Sequence, residues 1–130
     1  MAIAGVNEAL LESLPDTGPV AMLNLVRLRA RSADGDGTGW DAYVRYSRMV
    51  IRLIKARGGT VLWGGDAQGV AFGDPGSKRW DYVVLVRYPS CAAFLDMMRS
   101  EDYARANVHR ENGVEDHAIL AVNETYSKAG

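Results

Sequence analysis

Residues 80–99 read WDYVVLVRYPSCAAFLDMMR, and their reading decides the fold. The run from Trp80 to Tyr88 is dense in β-branched and aromatic side chains and is the clearest strand in the chain. Pro89 stops it, since proline cannot donate to a ladder. Ser90 is then placed to cap the helix CAAFLDMMR. Alternation sets Asp81, Val83, Leu85 and Arg87 on one face and Trp80, Tyr82, Val84, Val86 and Tyr88 on the other.

Working back from Trp80, Gly64 to Gly76 is glycine-rich and reads as a hairpin or bulged connection, with GVAF as a small strand within it. TVLWGG, from Thr60, reads as the second strand. Before it lies a long helix, opened by a capping-box-like pair, Thr38 and Asp41, and ended by Gly58 and Gly59. Tyr43, Ser47, Val50, Ile51 and Ile54 recur along it at helical spacing. SADGDGTG is a loop by composition. Pro19 to Ala30, PVAMLNLVRLRA, is the first strand, preceded by a short helix from Asn7 to Leu14 that Pro15 stops. Beyond residue 99, Ser100 with Glu101 and Asp102 restarts a helix, its acids where the helix dipole favours them. Asn112-Gly113 is a turn signal, and His117 to Asn123 is the last strand.

The order is β-α-β-β-α-β, which predicts an α+β, ferredoxin-like chain: an antiparallel sheet with its helices on one face. Nothing in the chain is left to cover the other face. A second copy is the simplest cover, so a homodimer is expected.

Bulk properties fit one domain over 1–130, with a helical lead at 1–18 and a tail at 124–130. The 130 residues are 48% hydrophobic and 24% charged, a globular balance. A formal net charge of −1 argues against a dedicated nucleic-acid partner. The lone Cys91 excludes an internal disulfide and suits a reducing, cytoplasmic setting. MAIAGVNEALLESLPD lacks the features of a signal peptide, and no apolar run reaches the roughly 20 residues a membrane span needs.

Several catalytic signatures are missing. There is no G-x-S-x-G elbow, no cysteine pair for zinc, no phosphate loop in GDPGSKR and no dinucleotide fingerprint, so no cofactor is expected. His109, Glu111, Glu115, Asp116 and His117 crowd together, but nothing in their spacing brings three side chains to one point, and no metal is expected. A more coherent group is polar or amphipathic and set in apolar strands: Asn24, Trp63, Asp81 and Arg87. Buried alone, such groups cost about 1–3 kcal/mol each, so they should face a cavity or one another. On the first strand Met22, Asn24, Val26 and Leu28 oppose Leu23, Leu25, Arg27 and Arg29, and periodicity alone does not say which set faces the helices. The bland reading pairs Arg27, Arg29 and Arg87 with Asp81, Glu115 or Asp116, buries Trp63 and Trp80 in core or interface, and makes Tyr43 and Tyr46 packing residues. Arg45, Arg48, Arg52 and Lys55 form a basic stripe that reads as a solvated helix face.

The segments VAMLNLVRLR, GGTVLWGG, KRWDYVVLVRYPS and FLDMMRSEDY, with His109-Arg110, resemble an uncharacterised family of the dimeric α/β-barrel superfamily, across Pro19 to Val122. The resemblance implies two sheets closing into a barrel-like dimer, with a pocket between sheet and helices in each subunit. Relatives in that superfamily span cofactor-free monooxygenases, haem-degrading enzymes, muconolactone-type isomerases, chlorite-dismutase-like haem proteins and regulatory ligand-binding domains, so fold does not give function. Haem degraders use an Asn, a Trp and a His. Asn24 matches the first and Trp63 or Trp80 the second, but no histidine follows the third strand here, a departure from that pattern.

Two functions are therefore expected in competition. One is a small, cofactor-free enzyme of isomerase, lyase or monooxygenase type acting on an apolar or aromatic metabolite. In it Asn24 and His109 are catalytic, Asn24 orienting a carbonyl or oxyanion and His109 carrying the proton. Trp63, Arg79, Asp81, Arg110 and Tyr46 bind substrate. The other is a non-catalytic dimeric ligand-binding or subunit module in which the same residues serve association.

Overall fold

The chain is described by a computed structural model over residues 5–15, 18–74 and 79–128. Its elements run α1 (Glu8–Ser13), β1 (Val20–Leu28), α2 (Gly39–Ala56), β2 (Thr60–Asp66), β3 (Tyr82–Tyr88), α3 (Cys91–Met98), α4 (Glu101–Gly113) and β4 (Val114–Val122). The strands form one sheet of order β2-β3-β1-β4 in which every neighbouring pair is antiparallel. This is the ferredoxin-like arrangement: α2 links β1 to β2, and α3 with α4 links β3 to β4.

Local chemistry sets most boundaries. Asn7, Thr38, Ser90 and Ser100 each accept a hydrogen bond from a first-turn backbone N–H of their helix, and Thr38 with Asp41 completes a reciprocal capping box. At the far end of α2, Gly58 takes φ +78°, the left-handed conformation a helix stop favours.

Four boundaries depart from the sequence-based expectation. β3 begins at Tyr82 rather than Trp80, because Asp81 terminates the ladder: its N–H donates to Val26 O (2.8 Å), its O accepts from Ala67 N (2.9 Å), and its Oδ2 accepts from Leu28 N (2.8 Å). GVAF is not a strand; the connection crosses residues 75–78, which lie outside the described residues. Asn112-Gly113 is not a turn but the last part of α4, and β4 starts directly at Val114. The reason is close packing. A Cβ on Gly113 would lie 2.5 Å from Gly39 O and 2.9 Å from Ala42 Cβ, so only glycine lets α4 end against the start of α2.

The core lies between the sheet and the helices. Met22, Val26, Val86 and Tyr88 point from the sheet toward Tyr43, Tyr46, Val50 and Ile54 of α2, Phe94, Leu95 and Met97 of α3, and Tyr103 and Ala106 of α4. On β1 the register therefore assigns Asn24 to the helix-facing side. The opposite face carries cross-strand rows of apolar side chains: Trp63, Leu85, Leu23 and Leu120 in one, Val83, Leu25 and Ala118 in the next. Trp63 is 50% exposed and Leu120 52%, although both sit on strands. A bulge at Leu62 is what turns Trp63 onto this face.

Candidate functional site

On the helix-facing side of β1, Asn24 interrupts a run of apolar residues, and its amide is fixed by the strands beside it. Nδ2 donates to Met22 O (3.1 Å) and to Val84 O (3.4 Å). That leaves Oδ1 as an acceptor, and His117 Nε2 lies 2.9 Å from it. The register explains the meeting. His117 pairs with Val26 and Ile119 with Asn24, so His117 is the diagonal cross-strand neighbour of Asn24 on the same face. The other imidazole nitrogen, Nδ1, is 3.2 Å from Arg110 Nη1 on α4, and Arg110 Nε donates to Asn107 Oδ1 at 2.6 Å.

These partners assign the tautomer. Arg110 can only donate, so Nδ1 must accept; Asn24 Oδ1 can only accept, so Nε2 must carry the proton. His117 is thus a neutral imidazole in the row Asn24–His117–Arg110. Burial pushes its pKa down to about 4, and the Arg110 charge pushes in the same direction, against a smaller opposing pull from Asp116.

Beside this row the tyrosine hydroxyls of Tyr46 and Tyr103 lie 3.1 Å apart, buried, with burial raising Tyr46 well above the usual phenol range. Tyr43 is pushed up to about 12, chiefly by burial. Both phenols stay protonated at neutral pH.

Two cavities open onto these groups. The larger, about 290 Å³, lies between α2 and the sheet, with Asn24, Trp40, Tyr43, Tyr46, Tyr82 and Val84 in its wall. Trp40 meets Tyr82 edge-on at 5.1 Å, and Tyr43 meets both rings at 5.9 Å. A Cβ on Gly64 would sit 2.7 Å from the Tyr82 hydroxyl, so a bare backbone here is what lets that ring lie across β2. The smaller cavity, about 190 Å³, lies under the N-terminal lead, with Val6, Leu10, Arg110 and His117 in its wall. Phe94, Met98, Tyr103 and Ile119 border both.

The residues singled out from the sequence separate cleanly. Asn24, Tyr46 and Arg110 come together here. His109 sits on α4 outside the walls of both cavities, its buried Nδ1 making no hydrogen bond. It is His117 that meets Asn24. Trp63 is on the open face of the sheet, Arg79 is exposed, and Asp81 is engaged with the backbone of β1. Arg27 pairs with Glu115, whereas Arg87 pairs with Glu124 rather than with Asp81, Glu115 or Asp116. His109 and His117 stand on different elements, and no group of three metal-ligating side chains occurs among the described residues. No helix among them is long and apolar enough to cross a membrane.

Sequence reasoning missed His117, Trp40 and Tyr103. Trp40 was findable, three positions before Tyr43 on the stripe that continues through Ser47, Val50 and Ile54. His117 was findable only after aligning β4 against β1.

A family model described as a domain of unknown function (DUF1330) matches residues 36–124. A crystal structure of a protein of unknown function from Rhodopseudomonas palustris is 35% identical, covering 96% of this chain and 98% of that chain with a TM-score of 0.84. The methylated form of that protein matches at 37% identity, 98% and 97% coverage and a TM-score of 0.82. A dimeric protein of unknown function and ferredoxin-like fold from Bacteroides fragilis is 12% identical over 84% of this chain and 99% of that chain, with a TM-score of 0.55. At that identity it speaks for the fold alone. No curated protein matches the chain.

Proposed function

The chain belongs to the DUF1330 family, and on that premise we propose that it is a small-molecule-binding protein whose site is the aromatic cavity between α2 and the sheet. The observation that carries this reading is Asn24, held by the row Asn24–His117–Arg110, in the wall of a cavity lined by aromatic rings. An apolar enclosure with a few convergent polar groups is the usual form of a ligand site. At about 290 Å³ the larger cavity takes a one- or two-ring compound.

The same row favours binding and orientation over proton shuttling. Both nitrogens of His117 are engaged, one as donor and one as acceptor, so neither is free to take a substrate proton without breaking the row. An enzymatic version would have to move the proton through the Tyr46–Tyr103 contact, where burial suppresses the acidity of Tyr46.

The cavity is tested with a neutral probe. 2-Naphthylmethanol is expected to bind the wild type by calorimetry. Val84→Phe, which projects a ring into the cavity, is expected to weaken that binding by roughly tenfold or more, since the ring displaces apolar contact area of the probe. An unchanged affinity in a folded Val84→Phe variant would place the probe elsewhere and contradict the reading.

The protein also acts, in this proposal, as a homodimer through the open sheet face. Leu23, Leu25, Val83 and Leu85 are only half-buried in the single chain, and Trp63 and Leu120 are exposed beside them. An apolar patch of this continuity marks an interaction surface. Its uncharged, apolar centre suits a two-fold contact with a second copy, and the Bacteroides fragilis protein of the same fold is described as dimeric.

A further inference from the structure

Arg110 makes two hydrogen bonds, to Asn107 Oδ1 and to His117 Nδ1, and both partners are neutral. Among the described residues no carboxylate lies within ion-pair distance of it, and its Nη2 makes no hydrogen bond. Yet the guanidinium is half-buried in the wall of the smaller cavity, under the N-terminal lead. A cation drawn partly out of water with only neutral partners is poorly compensated, and an anion is what would compensate it.

A second donor lies close by. The Tyr46 and Tyr103 hydroxyls share one hydrogen bond, which uses one of their two protons. The other proton has no acceptor among the described residues, and Tyr103 borders both cavities. Asp116, next to His117 in the chain, has its Oδ1 turned to the His117 backbone N–H at 2.9 Å.

From this geometry we infer that the ligand is an aromatic or apolar carboxylate. Its carboxylate is held in the smaller cavity by the free edge of the Arg110 guanidinium with the Tyr103 hydroxyl, and its apolar body reaches past Phe94, Met98 and Tyr103, which border both cavities, to the rings of the larger one. Asn24 and His117 act as positioning residues: Asn24 fixes the imidazole and the imidazole fixes Arg110. Arginine suits this task because its planar fork matches a carboxylate. The inference rests on the proposal that the cavity takes a ligand at all, and the two fail differently.

The test compares 2-naphthoate with neutral 2-naphthylmethanol by calorimetry. The wild type is expected to bind the carboxylate roughly tenfold to a hundredfold more tightly, the range for a charge-assisted contact. Arg110→Gln is expected to erase that ratio while still binding the neutral compound. Should Arg110→Gln fail to fold, Arg110→Lys decides. It keeps the charge but loses the fork, and the ratio is expected to fall without vanishing. Equal affinity of the wild type for both compounds, or a ratio untouched by Arg110 substitution, would overturn the carboxylate inference and leave the apolar site standing. Binding of neither compound would overturn both.

Discussion

Acidification from pH 7 to pH 4 is expected to remove roughly 3 kcal/mol of stability from the wild type that a His117→Gln variant does not lose. His117 is held neutral in the fold, with its pKa lowered to about 4 by burial and by Arg110, against an unfolded value of about 6.5. A depressed folded pKa means the unfolded chain binds the proton more readily. The contribution is therefore fully present above pH 6.5, declines as pH falls below that, and is gone once pH passes through about 4. The span of about 2.5 pKa units sets the size, at 1.36 kcal/mol per unit. Glutamine can donate to Asn24 Oδ1 and accept from Arg110 but takes up no proton in this range. Urea unfolding of both proteins at pH 7 and pH 4 isolates the histidine from the carboxylates they share. Parallel losses would mean that the imidazole is charged in the fold, and the tautomer assignment would fall with it.

Leu85→Lys is expected to convert a dimer into a monomer. Leu85 lies in the middle of the apolar row from Trp63 to Leu120, opposite Leu23. In a two-fold interface the substitution enters twice, so two ammonium groups must be desolvated among apolar side chains. A combined cost on the order of 5 kcal/mol weakens the dissociation constant by roughly a thousandfold or more. In the isolated chain the same lysine stands on an accessible face and should leave the thermal transition of the monomer almost unchanged. Sedimentation equilibrium separates the outcomes: a wild-type dimer with a monomeric, folded variant supports the interface, and an unshifted assembly state removes the open face from it.

Much of the fold was legible because its signals are local. The caps at Thr38, Ser90 and Ser100, the Gly58 helix stop and the alternation of β3 each depend on a few adjacent residues, and each is found where the sequence puts it. What failed depended on contacts distant in sequence. The Asn112-Gly113 pair has turn chemistry, but the close approach of Gly39 makes glycine necessary there for packing instead. Asp81 looks like a ligand-facing acid until the end of β1 is brought against it.

The candidate site divides along the same line. Asn24 stood out as a polar group in an apolar strand, which composition can show, whereas Tyr46 and Arg110 were expected at the site only as substrate-binding groups beside it. Choosing between His109 and His117 needed the register of β4 on β1, because a one-residue slip exchanges the faces of a strand. His109 follows Ala106 on α4 and is lost to the cavities, whereas His117 reaches Asn24 only because Ile119 pairs with it across the sheet.

The cavity between α2 and the sheet can be tested most directly through two tryptophans on opposite faces of that sheet. Trp40 lies in the cavity wall and Trp63 on the open face. In a nitrogen-15 NMR titration with 2-naphthylmethanol, their indole N–H resonances being assigned from Trp40→Phe and Trp63→Phe, the Trp40 signal is expected to move to saturation while Trp63 stays in place. A shift of Trp63 with Trp40 unmoved, or no shift of either, would contradict a ligand site on the helix side of the sheet.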